Sequence, residues 1–155
     1  MFAKVSPQIL IDADACPVKD ETYKVALRHQ VPVVLVANSF LRVPAHPLLK
    51  LVMVSDGFDA ADDYIAEAAT PQSVVVTADI LLAERALTAG AIVLNHTGKP
   101  FTKNSIGSAI ATRAIMADLR AGGDQVGGAA PFSKADRSRY LSALDEALNR
   151  LKRAS

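Results

Sequence analysis

Three short segments of this chain carry carboxylates at spacings suited to a divalent cation. The first is Ile11-Asp12-Ala13-Asp14-Ala15-Cys16, where an apolar run ends in two aspartates. Residues two apart on an extended chain point to the same side, so Asp12 and Asp14 are expected to converge. The second is Asp59-Ala60-Ala61-Asp62-Asp63-Tyr64-Ile65. Asp59, Asp62 and Asp63 lie three and four apart, on one face of a helix start. The third is Val74-Val75-Val76-Thr77-Ala78-Asp79, a β-branched run that again ends in an aspartate. Each segment alone has a plainer reading, as a helix cap or as acidic residues favoured by a helix dipole. Their recurrence is what points to chemistry. Two carboxylates about 4 Å apart repel by roughly 4 kcal/mol at an effective dielectric near 20. Gathered at one edge, Asp12, Asp62 and Asp79 with their neighbours call for a hard cation or shared protons. Oxygen-only ligands suit Mg²⁺ or Mn²⁺. No zinc-type set is present: His29, His46 and His96 are scattered, and Cys16 is the single cysteine. Cys16 reads most simply as a small buried residue.

The elements that must position these residues alternate along the chain. Strands are expected at Gln8 to Ile11, Val31 to Ala37, Leu49 to Val54, Ser73 to Thr77 and Ala91 to Leu94. Helices are expected at Val18 to His29 behind Pro17, at Phe58 to Ala69 before Thr70-Pro71, and at Ile80 to Ala89 before Gly90. This βαβ alternation predicts an α/β fold, a mostly parallel sheet with helices on both faces. The acidic motifs would then meet beyond the carboxyl ends of the strands, where such sheets bind ligands. After a polar loop from His96 to Lys103, Asn104 is expected to cap a helix to about Leu119. Ala121 to Pro131 holds four glycines and is expected to be mobile. Ser133 or Asp136 opens a last helix to about Lys152.

Composition bounds the function. A length of 155 residues fits one domain, and with 50% hydrophobic residues a sizeable core needs no disulfide. The lone cysteine and the lack of a signal-peptide pattern lead us to expect a reducing cytoplasm. No apolar run approaches the roughly 20 residues of a membrane span. A net charge of +1 gives no global field for nucleic acid, so any polyanion contact must be local. Five phenylalanines, three tyrosines and no tryptophan argue against a broad base-stacking surface.

The chain resembles the YaiI/YqxD family of bacterial proteins, itself similar to PIN-like nucleases. The likeness runs across nearly the whole chain. It is carried by Asp12-Ala13-Asp14-Ala15-Cys16-Pro17-Val18-Lys19, Gly57-Phe58-Asp59-Ala60-Ala61-Asp62, Val76-Thr77-Ala78-Asp79-Ile80-Leu81-Leu82-Ala83 and Thr102-Lys103-Asn104-Ser105-Ile106. It implies a three-layer PIN-like fold around a parallel sheet. It also implies a metal-dependent ribonuclease site in which Asp12 ends the first strand, Asp62 and Asp63 form the helix pair, and Asp79 follows the Thr-x-Asp strand end. Asp14 and Asp59 would be further ligands, direct or through water. Two departures stand out: Ala60 replaces a common glutamate, and Asp14 replaces a neutral residue. Lys19, Lys99, Lys103, Asn104 and Arg113 are the candidates for phosphate contacts on an RNA partner. Two rivals remain open. Asp12-Ala13-Asp14 after a strand also suggests a haloacid-dehalogenase-like phosphatase with Asp12 as nucleophile. A non-catalytic metal- and RNA-binding module would use the same carboxylates.

Overall fold

The computed structural model describes residues 6–55, 57, 59–108, 110–112 and 132–154. Five strands, β1 Gln8–Asp12, β2 Val33–Ala37, β3 Leu49–Met53, β4 Ser73–Val76 and β5 Ile92–Leu94, form one parallel sheet in the order β3-β2-β1-β4-β5. Side chains alternate between its two faces, as the two-residue period of a strand requires. Ile9, Ile11, Val33, Leu35, Val74 and Val76 enter one core, while Leu10, Val36, Val75 and Val93 enter the other.

The first core is covered by α1 (Lys19–His29) and α5 (Lys134–Ala154), through Tyr23, Val25, Tyr140, Leu144 and Leu148. The second is covered by α2 (Ala60–Ala68) and α3 (Ile80–Thr88), through Ile65, Leu82, Ala83 and Ala86. Ile106 and Ile110 join it from α4, helical at 103–108 and 110–112. The result is an α/β fold of three layers. The chain winds from β1 through β2 to β3 on one side of the sheet, then crosses to β4 and β5 on the other. The order reverses between β1 and β4, and the crevice above such a reversal is where open α/β sheets bind ligands.

The element ends have local causes. Gln30 at φ 58° closes α1 with Val31 N–H on Ala26 C=O at 2.9 Å, and Gly90 at φ 89° closes α3 with Ala91 N–H on Ala86 C=O at 3.1 Å. Both are left-handed stops that satisfy the last carbonyls. Asn104 does not cap α4. Thr102 does: its hydroxyl accepts from Ser105 N–H at 3.1 Å while the Ser105 hydroxyl accepts from Thr102 N–H at 2.8 Å, a reciprocal box. Ser133 and Asp136 close the same kind of box before α5, which makes Ser133 the cap. The expected mobile stretch from Ala121 to Pro131 lies outside the described residues, as does the end of the helix expected to reach Leu119. No helix among the described residues is long and apolar enough to cross a membrane.

Candidate metal centre

The alternation that builds the cores also aims Asp12. Leu10 points to the α2–α3 face and Ile11 to the α1–α5 face. Asp12 follows on the α2–α3 side, at the end of β1. Ile11 pairs with Val76, so Thr77 stands beside Asp12 just past the end of β4. The buried Thr77 hydroxyl donates to Asp12 Oδ2 at 3.0 Å and accepts from Asp79 N–H at 3.0 Å. One threonine thus fixes both the strand-end carboxylate and the start of the next helix.

Asp79 caps α3: its Oδ1 accepts from Leu81 N–H at 2.9 Å and Leu82 N–H at 3.2 Å. The plainer reading of this residue is therefore correct, and it leaves Oδ2 without a hydrogen bond among the described residues. Asp62 lies one turn before the buried Ile65 on α2, so the stripe that packs Ile65 on the sheet brings Asp62 to the carboxyl edge.

Electrostatics show that these groups share a field. Burial, then the charges of Asp79, Asp12 and Asp59, push the Asp62 carboxyl up to about 6, against a smaller opposing pull from Arg85. Burial also raises Asp12; the Thr77 hydrogen bond opposes it, and Asp79 and Asp14 add to it. Among the described residues, no three His, Cys, Asp or Glu side chains are placed to enclose one ion. The arrangement is an open edge of mutually repelling carboxylates rather than a closed cage. Its donor chemistry fits a hard divalent cation: all oxygen, with two groups held above their usual range and, among the described residues, no cation paired with Asp12.

The remaining acids have contacts or positions of their own, although Asp14 still acts on Asp12 and Asp59 on Asp62. Asp14 does not converge with Asp12 along an extended chain, because Ala13–Ala15 form a 3-10 turn. Its Oδ2 accepts from Asn38 N–H at 3.0 Å and its Oδ1 from the Ser39 hydroxyl at 3.4 Å, so it braces the loop after β2. Asp63 turns outward and pairs with Arg85 on α3 at 2.8 Å. Asp59 is exposed at φ 66°, a left-handed position that aspartate tolerates, and makes no side-chain cap.

The basic candidates are spread out. Lys19 donates to Cys16 C=O at 3.1 Å and adds its charge to the burial that lowers His96. Lys99 is exposed in the Asn95–Lys99 turn beyond β5. The chain then doubles back, Pro100 bridging Leu94 antiparallel, so Lys103 lies beside Glu84, Leu87 and Thr88, on the half of α3 remote from Asp79. Asn104 is exposed next to it. Arg113 lies outside the described residues. Cys16 is buried and its thiol is pushed up to about 11, chiefly by that burial, which makes it a poor nucleophile. Sequence reasoning missed the hinge role of Thr77, although Thr-x-Asp was its visible signal. It also missed Arg85, whose link to Asp63 depends on how α2 and α3 pack.

A family model described as "Uncharacterized BCR, YaiI/YqxD family" matches residues 10–150. A UPF0178 protein from Sphingopyxis alaskensis is 71% identical over 149 residues, covering 96% of this chain and 97% of the relative. One from Jannaschia sp. is 64% identical, covering 93% and 94%. UPF0178 protein RPA2191 from Rhodopseudomonas palustris is 56% identical, covering 94% and 92%. No solved structure matches.

Proposed function

The chain belongs to the YaiI/YqxD family, and on that premise we propose that it is a metal-dependent phosphodiesterase of PIN type acting on RNA. The observation that supports this reading is that Asp79 raises the carboxyls of both Asp12 and Asp62, and Asp12 adds to the rise of Asp62, beside the β1–β4 reversal of the sheet. Mutual repulsion of this kind is a cost to folding, and it is useful where a cation is to be bound. A bound Mg²⁺ or Mn²⁺ supplies an activated water and neutralises charge on the leaving oxygen. Asp12 and Asp79 are the principal ligands. Thr77 orients Asp12, and the α3 cap fixes one oxygen of Asp79 so that the other is presented. Asp62 joins them once ionised, above about pH 6. Asp14 and Asp63 serve as a brace and a helix-pairing group rather than as ligands.

The same brace weighs against a phosphatase, since Asp14 would be its acid/base and both its oxygens already accept hydrogen bonds. The test is incubation of the purified protein with single-stranded and structured RNA and DNA, in Mg²⁺, Mn²⁺ or chelator. The reading expects cleavage of single-stranded or loop RNA that chelator stops. Turnover of small phosphate esters with no cut in any nucleic acid would put the phosphatase in its place. Retention of RNA without cleavage under any metal would make the protein a binding module.

A further inference from the structure

The loop after β2 carries a feature that the metal centre does not use. Phe40 is 75% exposed, the most open large apolar side chain among the described residues. It lies at the carboxyl edge, one residue beyond Ser39, where Asp14 ties the loop to the end of β1. From Phe40 to Pro44 exposure alternates. Leu41 and Val43 pack against the α1–α5 core, while Phe40 and Arg42 point outward. The alternation is that of an extended strip anchored every second residue, so its outward side chains stand on one side. Arg42 has no ion-pair partner among the described residues.

We infer that Phe40 and Arg42 form a nucleobase-binding subsite, in which the Phe40 ring stacks on one base of a single strand and Arg42 meets the adjoining phosphate. This rests on the phosphodiesterase reading and adds to it the means by which the strand is held. Three observations favour a base over a protein partner. An exposed aromatic ring, with an exposed guanidinium two residues on that is unpaired among the described residues, matches a base with its adjoining phosphate. The neighbours Asn38, Ser39 and Ala45 to Pro47 are exposed, mostly polar or small, and form no broad apolar face of the size a protein interface buries. The link through Asp14 puts the loop next to Asp12, whose carboxyl feels the Asp14 charge. A single platform also agrees with the scarcity of aromatics: it grips a short stretch of strand rather than a long one.

The absence of tryptophan provides the test. Phe40→Trp gives the chain one indole reporter at this position. Its fluorescence is followed against a short single-stranded oligoribonucleotide and an abasic oligomer of the same length, in chelator to prevent cleavage and again with Ca²⁺. Saturable quenching by the base-bearing strand, absent with the abasic one, is the expected result. Phe40→Ala should weaken binding about 10-fold or more, with an unchanged melting temperature because the ring is exposed. Phe40→Tyr should restore most of that loss. Arg42→Ala should lower the slope of log affinity against log salt by about one. Equal binding of both oligomers, with no quenching and no effect of Phe40→Ala, overturns the subsite and leaves the phosphodiesterase reading standing. A signal that tracks protein concentration alone marks self-association and also overturns it. Failure of any strand to bind overturns the subsite and the RNA reading together.

Discussion

Two groups of carboxylates in this molecule live under opposite rules. On α5, Asp145 accepts from His29 at 2.7 Å and from Arg28 at 2.6 Å, and these partners hold its carboxyl below the usual range. The Lys152 ammonium in turn donates to His29 Nδ1 at 2.7 Å, so α1 and α5 are joined by a chain of polar contacts in which Arg28 supplies the countercharge to Asp145. The buried Tyr140 and Thr22 hydroxyls complete this seam at 2.6 Å. At the carboxyl edge of the sheet burial raises Asp12 and Asp62, and the charges of neighbouring aspartates add to it, against the Thr77 hydrogen bond on Asp12 and the Arg85 charge near Asp62. The first group has its countercharge within the chain. The second has little countercharge among the described residues, and it is there that the proposed metal site would lie.

The largest expected effect breaks the second group. Asp12→Asn and Asp79→Asn should each lower metal-dependent cleavage by more than about 100-fold, because even an outer partner of a metal ligand is commonly worth 10–100-fold. Product analysis on single-stranded RNA reads this directly. On the fastened side the heaviest blow falls at Gly98. It has φ 84°, and an added Cβ would stand 2.5 Å from the Arg139 carbonyl oxygen on α5. Gly98→Ala should cost roughly 2–4 kcal/mol in a denaturant melt.

The fold was largely legible in the sequence, and the site only in part. β-branched runs such as Val74-Val75-Val76 can hardly be other than buried strands, and all five expected strands form. Asp12 and Asp79 were legible because they end such runs. The side-by-side placing of Asp12 and Asp14 on an extended chain was not to be had from period alone, because the chain leaves the extended state at Ala13. The pairing of Asp63 was not legible because its partner Arg85 is 22 residues away and reaches it only through helix packing. Lys103 was a candidate phosphate contact because the resemblance includes its loop, and the reversal at Pro100 sets it beside the far half of α3.

The two groups should also differ in the sign of their pH dependence. Asp62 rises from 3.8 to about 6 on folding, so between those values the folded chain holds the extra proton. Stability in chelator should therefore fall as pH rises from about 4 to about 6 and stay lower above it. Asp62→Asn should flatten that window and raise the melting temperature at pH 7.5. Asp145 is depressed, so its contribution is present above the unfolded value near 4 and is lost as pH falls through the folded value. Asp145→Asn should cost about 1 kcal/mol or less at neutral pH, discounted because the pair is solvent-accessible. Cys16→Ser should have the smallest effect, with turnover nearly unchanged, since the buried thiol takes no part.

The most direct test of the central claim is Mn²⁺ binding to the chelator-treated protein, followed by loss of the free-ion paramagnetic signal. The wild-type chain should bind saturably. Asp12→Asn and Asp79→Asn should each abolish or sharply weaken that binding, while Asp63→Asn should leave it close to wild type. Binding that survives both strand-end substitutions, or no binding by the wild type at all, would contradict a metal centre at this edge.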